Sequence, residues 1–445
     1  MASGTIGRVC VLALLVAASV PVGSDVGTAA DLSGSCCADL EERVAELEAT
    51  TARKGNRKVS LTVSGWVNEA LLHWDDGVES GLYQVTNMVA QSRFRFVGSA
   101  SISPDLSAGY LLEIGVNGAR SDSVDQTTDE GASANAVSVR HSAWWLQSRT
   151  LGRLWVGQTS QASDGITEIN LANTTHFATE NAAATSGHYV RNADGTPTST
   201  RLGVFMGGPN IGGSATVDAA QIGEGNRRNL VKYETPTIGG FVASASWGED
   251  DFWDVAVRYA GEAQGFKLAF GIGYEQMRDG PQIAGVATNN ERNCAVPLVI
   301  TDKDVDCSQL GLSGAVMHVP TGLYVHAAYG IRWDDHAKTL WGASADSSST
   351  QLYVQAGIEK NWLGIGNTTV FGEYQDWNIG GTNKWGFAEM TMWGVGLNQS
   401  IAAAAMDVYV NYRHYGDLSA LSVFGGPIID FKDFQTVMAG GIIRF

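Results

Sequence analysis

Long apolar runs are almost absent from this sequence of 445 residues. Beyond the N-terminal region, no apolar stretch approaches the roughly eighteen residues of a membrane-spanning helix, which excludes a helical membrane protein. Charged residues are also scarce, at 17% of the chain, and the 29 basic residues are outnumbered by 46 acidic ones. The net charge of −17 argues against nucleic acid as a partner, because phosphates require a basic surface.

Cysteine is rare, with five residues in the whole chain. Cys294 and Cys307 lie in one polar stretch, and a loop-closing disulfide between them fits an oxidising compartment. Cys36 and Cys37 are adjacent and could pair with the cysteines of another subunit. No cysteine spacing resembles a zinc site, so no metal and no cofactor is expected.

Enzyme motifs are missing as well. The eight histidines form no HExxH motif, and the chain has no GxSxG nucleophile elbow. A catalytic group whose residues are far apart in sequence needs no such motif. The interpretation is nevertheless that the protein is not an enzyme.

The N-terminus reads as an export signal. Arg8 is followed by an apolar run from Val9 to Val22 and by the small residues Thr28-Ala29-Ala30. This pattern is typical of a signal peptide over residues 1–30. A short segment over 31–58 follows, in which Leu40, Val44, Leu47 and Thr51 make a heptad seam of only two repeats. A periplasmic helical or coiled-coil segment and a solvated linker are both consistent with it.

From Val59 onward the hydrophobic period is two. In "SLTVSGWVNEALL", Leu61, Val63 and Val67 fall on one face of a strand, and polar residues alternate with them. About eighteen such segments are joined by connections that are alternately short and long. The long ones cover 75–90, 119–135, 160–199, 277–307, 335–349 and 416–432. This arrangement predicts an all-β, antiparallel, up-and-down barrel over residues 59–445.

Three features place the barrel in a bacterial outer membrane rather than in a secreted soluble β-protein. One strand face is apolar and the other carries charges, which fits lipid outside and a polar lumen inside. Tryptophans such as Trp74, Trp377 and Trp393 cluster at predicted strand ends, as at a headgroup boundary. The chain ends "TVMAGGIIRF", so its last strand finishes on Phe445, which we interpret as a C-terminal assembly signal.

The chain also resembles a known family, the alphaproteobacterial porins. The likeness rests on "CCADLEERVAELEATTARKGNRKVSLTVSGWVNEALLHWDDG" and continues through "SRFRFVGSASISPDLSAGYLLEIG" and "LGRLWVGQTSQASDGITEINLAN" to the C-terminus. The resemblance implies a homotrimer of 16-stranded barrels, passive diffusion of small hydrophilic solutes, and a third external loop folded into the pore. Sixteen is fewer than the candidate strands, so two segments among 200–206, 214–222 and 229–235 would be loop or would merge. The partners expected are outer-membrane lipid, lipopolysaccharide and the barrel-assembly machinery.

The longest connection, 160–199, is then the candidate constriction loop. Its acids Asp164, Glu168 and Glu180 would face a basic cluster on the pore wall. The members of that cluster are Arg93, Arg95, Arg140, Arg153 and Arg201. Carboxylates opposite guanidinium groups would create a transverse field across the pore. The alternative is that the acids are a solvated loop surface and the arginines form ordinary salt bridges.

The function predicted from sequence is a water-filled channel for ions and small hydrophilic solutes. The acidic net charge predicts a mild preference for cations, which the arginines would oppose locally. Two alternatives stay open: a substrate-selective channel for a sugar or a small anion, and a barrel with a blocked lumen that acts as an anchor or adhesin.

Overall fold

A computed structural model describes residues 58–130, 136–180, 182–207, 222–248, 252–278, 306–334, 346–380, 385–422 and 426–445. The chain divides into two units, Met1–Gly55 and Asn56–Phe445, and every described residue belongs to the second. The predicted signal peptide (1–30) and, apart from Lys58, the predicted helical segment (31–58) lie outside the described residues.

The described part is almost entirely β-structure. Its strands are β1 (Thr62–Asp75), β2 (Ser80–Thr86), β3 (Arg93–Ser101), β4 (Leu106–Asn117), β5 (Ala136–Ser148), β6 (Gly152–Ser160), β7 (Tyr189–Arg191), β8 (Pro197–Arg201), β9 (Arg227–Glu234), β10 (Phe241–Gly248), β11 (Trp253–Ala263), β12 (Phe266–Arg278), β13 (Asp306–His318), β14 (Leu323–Asp334), β15 (Ser348–Lys360), β16 (Thr368–Gly380), β17 (Trp385–Ile401), β18 (Met406–Ser422), β19 (Ile428–Asp430) and β20 (Phe434–Arg444). The helices described are short 3-10 turns at Met88–Ala90, Ala182–Thr185, Leu202–Met206 and Ala402–Ala404.

Eighteen of the strands form one antiparallel sheet that closes on itself, because β20 pairs with β1 from Trp66–Arg444 to Asp75–Gln435. Two of its wall strands are interrupted. β2 and β3 pair with the two halves of β1, and β19 and β20 both pair with β18. β2 and β3 therefore count as one wall strand, as do β19 and β20, so the eighteen strands form a wall of sixteen. The sixteen-stranded antiparallel barrel is therefore confirmed.

The three doubtful strand candidates of the sequence analysis have different outcomes in the structure. Residues 229–235 fall almost wholly in β9, a true wall strand that pairs with β6 and β10. Residues 200–206 belong to the connection between β6 and β9, where β8 pairs with β7 in a separate two-stranded sheet. Of residues 214–222, only Ile222 lies within the described part of the chain.

Connections at one end of the barrel are short and those at the other end are mostly long. The tightest joins β11 to β12 through Gln264 and Gly265, both with positive φ (53° and 80°), the backbone that a two-residue hairpin turn requires. The longest fully or partly described connection runs from 161 to 226. Among the described residues, no helix is long and apolar enough to cross a membrane.

The outward faces of the strands carry exposed apolar side chains, as the alternating pattern predicts. Examples from around the wall are Val67, Leu71, Val139, Leu154, Val231, Val257, Phe270, Leu312, Val325, Leu352, Val395, Val410 and Ile443. Exposed apolar side chains around a closed barrel fit a lipid environment.

The sequence misplaces two tryptophans. Trp74 and Trp377 are 4% and 1% exposed and lie inside the barrel, in an apolar cluster that includes Val204 and Phe205 of the connection after β6. Only Trp393 of the three examples points outward, with 48% exposed. The inner wall is therefore apolar where a loop covers it, and hydrophobic burial fixes that loop to the wall.

Candidate pore constriction

The connection from 161 to 226, here called the inner loop, leaves the wall after its fifth strand and returns at β9. It extends well beyond the 160–199 expected from sequence. Ala162, Ile166 and Phe177 are buried, as are Val204 and Ile222 nearer its end. A loop with so many buried apolar side chains is packed inside the barrel rather than spread over its surface.

The first leg of the inner loop descends along one section of wall. The Ile169 amide donates to Ser313 Oγ on β13 at 3.2 Å. The Asn173 amide donates to Glu359 Oε2 at 2.8 Å, and Asn398 Nδ2 donates to the Asn173 carbonyl at 3.0 Å. Glu359 is one residue from the end of β15, next to a short turn. The loop therefore reaches almost to the short-turn end of the barrel.

An aromatic stack anchors the bottom of the loop. Phe177 is 1% exposed and lies parallel to Tyr409 of β18, with ring centroids 4.5 Å apart, and it also contacts Phe371 at 5.8 Å. Asn68 Nδ2 on β1 donates to the carbonyl of His176 at 3.1 Å. Burial lowers the pKa of the His176 imidazole to about 4, so this anchor is uncharged at neutral pH.

The second leg climbs back to the end with the long connections. Thr185 Oγ1 and the Tyr415 hydroxyl are 3.0 Å apart, and the amide of Ala193 donates to the Asp430 carbonyl at 3.1 Å. The 3-10 turn Leu202–Met206 is fully buried against inward-facing side chains.

The last leg presses its backbone onto β13 and β14. A Cβ atom on Gly330 would overlap the carbonyl oxygen of Ile222, and one on Gly311 would overlap that of Gly223. Gly223 has a φ of +84°, which favours glycine. Three glycines therefore permit an approach of loop to wall that any other residue would prevent.

Glu224 then ties the end of the inner loop to its beginning. Its carboxylate accepts hydrogen bonds from the amides of Ile166 (3.0 Å) and Thr167 (2.7 Å) and also from that of Gly165. Burial and the neighbouring carboxylate of Glu168 raise the pKa of Glu224. This clasp fixes the backbone immediately around Asp164 and Glu168.

Three arginines project from β3 and β5 and meet at one carboxylate. Glu113 of β4 accepts from Arg93 Nη1 at 3.2 Å, from Arg95 Nε at 2.7 Å and from Arg140 Nε at 2.8 Å. The Glu113 side chain is fully buried, whereas 36% of Arg95 is exposed. We call Arg93, Arg95 and Arg140 the arginine fan.

Pairing and an irregularity of the sheet explain the convergence. Arg95 is directly opposite Glu113 across β3 and β4, and His141 is opposite Glu113 across β4 and β5. A register shift after that pair leaves Arg140 as an extra residue on β5, and its guanidinium also turns inward to Glu113. Arg93 is held further by the ring of Trp66, 4.4 Å from the guanidinium carbon.

Asp164 and Glu168 lie on the inner loop near the arginine fan. Arg227 Nη1, where the loop rejoins the wall, is 3.8 Å from Asp164 Oδ2. Arg258 donates to the Asp164 carbonyl at 2.7 Å. Glu168 is half-buried. Burial, together with the Asp164 charge, raises its pKa to about 7, although Arg227 and the fan act against this shift.

Around the barrel, β4 and β14 are the third and eleventh of sixteen wall strands, so they face each other across the lumen. The fan projects from the β4 side, and the inner loop contacts the wall from β10 to β18. Four guanidinium groups (Arg93, Arg95, Arg140 and Arg227) are thus grouped with three carboxylates (Glu113, Asp164 and Glu168). Charges arranged in this way would produce a field across an open lumen.

The remaining predicted site residues lie elsewhere. Arg153 stacks on Trp145 and on Trp155, near the short turn between β5 and β6. Arg201 donates to Asp125 Oδ2 at 3.2 Å, at the end of the barrel with the long connections. Glu180 is 1% exposed and accepts from Thr167 Oγ1 at 3.1 Å, so its carboxylate is enclosed within the loop. The structure brings together Asp164, Glu168 and the three arginines of the fan only.

Sequence reasoning missed Glu113 and Arg227. Glu113 lies in "GYLLEIGVNG" on the same strand face as Leu111, and the short hairpin turn before it sets its register with Arg95. This register, which places Glu113 opposite Arg95, is the feature of the sequence that could have identified Glu113. Arg227 is close to Asp164 only because the inner loop returns to the wall there, and no local pattern indicates such a return.

Cys294 and Cys307 were predicted to form a disulfide, and Phe445 was predicted to be an assembly signal. Cys307 is disulfide-bonded, but Cys294 lies outside the described residues, so that pairing stays a prediction. Phe445 continues the final strand: its amide donates to the Gly65 carbonyl at 3.1 Å, and its side chain is 62% exposed.

A family model described as Gram-negative porin matches residues 13–295, more than half of the chain. The chain belongs to this porin family. No curated protein sequence matches it significantly. Solved structures match over most of its length.

The anion-selective porin from Comamonas acidovorans is 15% identical, covers 87% of this chain and 100% of its own, and has a TM-score of 0.54. Vibrio cholerae OmpT, solved in a trimer form, is 12% identical, with 87% and 99% covered and a TM-score of 0.49. OmpF of Salmonella typhi, solved with daunomycin, is 13% identical, with 87% and 98% covered and a TM-score of 0.48.

The porin family and the closed sixteen-stranded barrel together identify an outer-membrane diffusion channel rather than an enzyme. The predicted function and the outer-membrane location are confirmed.

Proposed function

We propose that this porin is a general-diffusion channel of the alphaproteobacterial type, constricted between the inner loop and the arginine fan. The observation that carries the proposal is the placement of Asp164 and Glu168, on a loop clasped by Glu224, beside wall arginines. Glu180 would support the loop from within. A charged, hydrated constriction passes small polar solutes. It makes the passage of an apolar solute costly, because that solute must displace the water that the charges hold.

Single-channel recording in a planar bilayer tests the proposal. Purified protein should give large, ohmic conductance steps, and its reversal potential in a salt gradient should show weak ion selectivity. Correctly folded protein that never conducts would overturn the proposal and leave a barrel with a blocked lumen.

A homotrimer is the assembly that we propose, as the family resemblance implies. Glu69 lies at the middle of β1 on the outward face, between Val67 and Leu71, and accepts hydrogen bonds from Gln84 Nε2 and Thr86 Oγ1, each at 3.0 Å. A carboxylate at this height is unfavourable against lipid. The polar patch on β1 and β2 is better explained by contact with a second copy of the chain.

A small-anion channel is the second candidate, because the four guanidinium groups of the fan and Arg227 exceed the three carboxylates of Glu113, Asp164 and Glu168. Arg258, bound to the Asp164 carbonyl, adds a fifth guanidinium group beside them. The name of the Comamonas structure offers a precedent for anion selectivity on this fold. The reversal potential separates the two: a general-diffusion channel gives a chloride-to-potassium permeability ratio near one, and an anion channel a ratio well above it. The mild cation preference expected from the net charge would give a ratio slightly below one.

The two ends of the chain and the external acids also have proposed roles. Residues 1–30 would be removed on export, and 31–58 would form a periplasmic helical segment. The exposed Phe445 ring at the end of β20 would be read by the barrel-assembly machinery, and external acids would meet lipopolysaccharide. Deleting Phe445 should lower the amount of folded porin in outer-membrane fractions, and unchanged levels would contradict this role.

A further inference from the structure

Glu113 is a wall residue whose one fully buried carboxylate contacts three guanidinium groups. Arg93 and Arg140 bind Oε1, and Arg95 binds Oε2. Every oxygen of the carboxylate is thus used, and hydrogen bonds to an ionised acceptor are the stronger kind. Removing Glu113 would therefore affect the positions of all three arginines at once.

The charge of Glu113 matters as much as its hydrogen bonds. Guanidinium groups stay protonated near neutral pH, so three of them in one patch repel each other and attract anions. The Arg93 and Arg140 side chains are only 10% and 14% exposed, which limits the screening of that repulsion by water. Glu113 offsets one of these charges at contact distance. Its own side chain is fully buried, so solutes would contact the arginines and not the carboxylate.

We propose that Glu113 is a selectivity-determining residue of this porin: it fans Arg93, Arg95 and Arg140 along the lumen and cancels part of their charge. With Glu113 the constriction has four guanidinium groups and three carboxylates, close to balance. Without Glu113 four guanidinium groups face only Asp164 and Glu168. The inference rests on the proposed function, since it requires an open, conducting lumen.

The wall offers a matched control. Glu373 of β16 is also a buried carboxylate bound to an arginine, with Arg413 Nε 2.8 Å from its Oε1. Arg413 in turn donates to the carbonyl of Thr179 at 3.0 Å, so the inner loop covers this pair. Replacing Glu373 removes a buried wall charge of the same kind away from the arginine fan.

The test compares Glu113→Gln and Glu373→Gln by reversal potential in a potassium chloride gradient, using the full-length channel in planar bilayers. Glu113→Gln should raise the chloride-to-potassium permeability ratio by about three- to tenfold, the effect of one unit charge at close range. Glu373→Gln should leave the ratio within about 1.5-fold of the original protein.

Two further variants separate charge from structural support. Glu113→Asp keeps the charge and should keep the permeability ratio, even where a shorter side chain makes the current noisier. The double variant Glu113→Gln/Arg95→Gln removes one charge of each sign, so its ratio should return towards that of the original protein. It also tests the proposal if Glu113→Gln alone does not fold.

Folded Glu113→Gln with an unchanged ratio would overturn the role of Glu113, as would equal shifts in both Glu→Gln variants. A double variant whose ratio does not return would do the same. If the unmodified protein does not conduct, it is the proposed function that fails. The two failures are thereby distinguished.

Discussion

Among the described residues of the proposed constriction, Glu168 is one whose charge should change within the ordinary range of pH. Its pKa is raised to about 7 by burial and by the Asp164 charge, so it is mostly ionised at pH 8 and mostly protonated at pH 6. Protonation removes a negative charge beside the arginine fan. Lowering the pH from 8 to 6 should therefore raise the chloride-to-potassium permeability ratio by about two- to fivefold. Reversal potentials measured across this range check the prediction.

Two variants in the inner loop serve as controls for that titration. Glu168→Gln should abolish the pH dependence and fix the ratio near its value at pH 6. Asp194→Asn makes the same acid-to-amide change at an exposed turn, where the Asp194 carboxylate accepts from Thr196. It should leave the pH dependence intact. A titration that survives Glu168→Gln would assign the charge change to another group.

Single residues also show what the sequence can predict of the site. Alternation places Arg93 and Arg95 on one strand face, and the structure keeps them together. The burial of Glu180 and the approach of Arg227 to Asp164 depend on the path of the whole inner loop. Such contacts join residues far apart in sequence, and no local periodicity encodes them.

At the scale of elements, the closest contact between loop and wall is made by glycine backbone. Gly330→Ala would place a Cβ against the carbonyl oxygen of Ile222. The last leg of the inner loop must then move towards the lumen, because the closed wall is hydrogen-bonded on both sides. We expect a lower single-channel conductance and a loss of about 1–3 kcal/mol in the free energy of unfolding, the usual effect of overpacking. Planar-bilayer recording and heat-induced unfolding followed by gel mobility measure the two effects.

Gly372→Ala is the control for this substitution. Gly372 lies on the outward face of β16, and the nearest atom to its added Cβ is the Gly394 carbonyl oxygen at 3.8 Å, an ordinary contact. Conductance and unfolding should both stay unchanged in that variant. Equal conductance in Gly330→Ala and Gly372→Ala would show that the loop does not depend on this contact.

Strands and loops differ in how far the sequence specifies them. The period of two and the short turns, such as Gln264-Gly265, indicate the wall because each strand pairs with its neighbour in the chain. The inner loop has no such period, and its first leg is held by partners such as Ser313 and Glu359 on distant strands. Its length was underestimated because 200–206 and 214–222 were counted as candidate strands, whereas the wall resumes only at β9.

On the scale of the whole molecule, the outward faces of the described wall strands carry many apolar side chains, and a polar group surrounds Glu69. Leu71 and Val255 are both exposed aliphatic residues, at 50% and 44%, on β1 and β11, the first and eighth wall strands. They therefore point to opposite sides of the barrel. If copies of the porin meet at β1 and β2, only one of these positions is covered in the assembly.

Leu71→Trp should therefore dissociate the proposed trimer, whereas Val255→Trp should leave it intact. A bulky indole cannot fit into a packed interface, but it is tolerated on a lipid-facing wall, where the surrounding chains adjust to its shape. Light scattering in detergent, coupled to size-exclusion chromatography, gives the mass of each variant. Two trimeric variants would place the interface away from β1. Two monomeric variants of a protein that is trimeric when unmodified would show that tryptophan disturbs the barrel itself, and a monomeric unmodified protein would overturn the proposed homotrimer. A monomer that still conducts would further show that each barrel holds a complete channel, as the inner loop, packed within its own wall, requires.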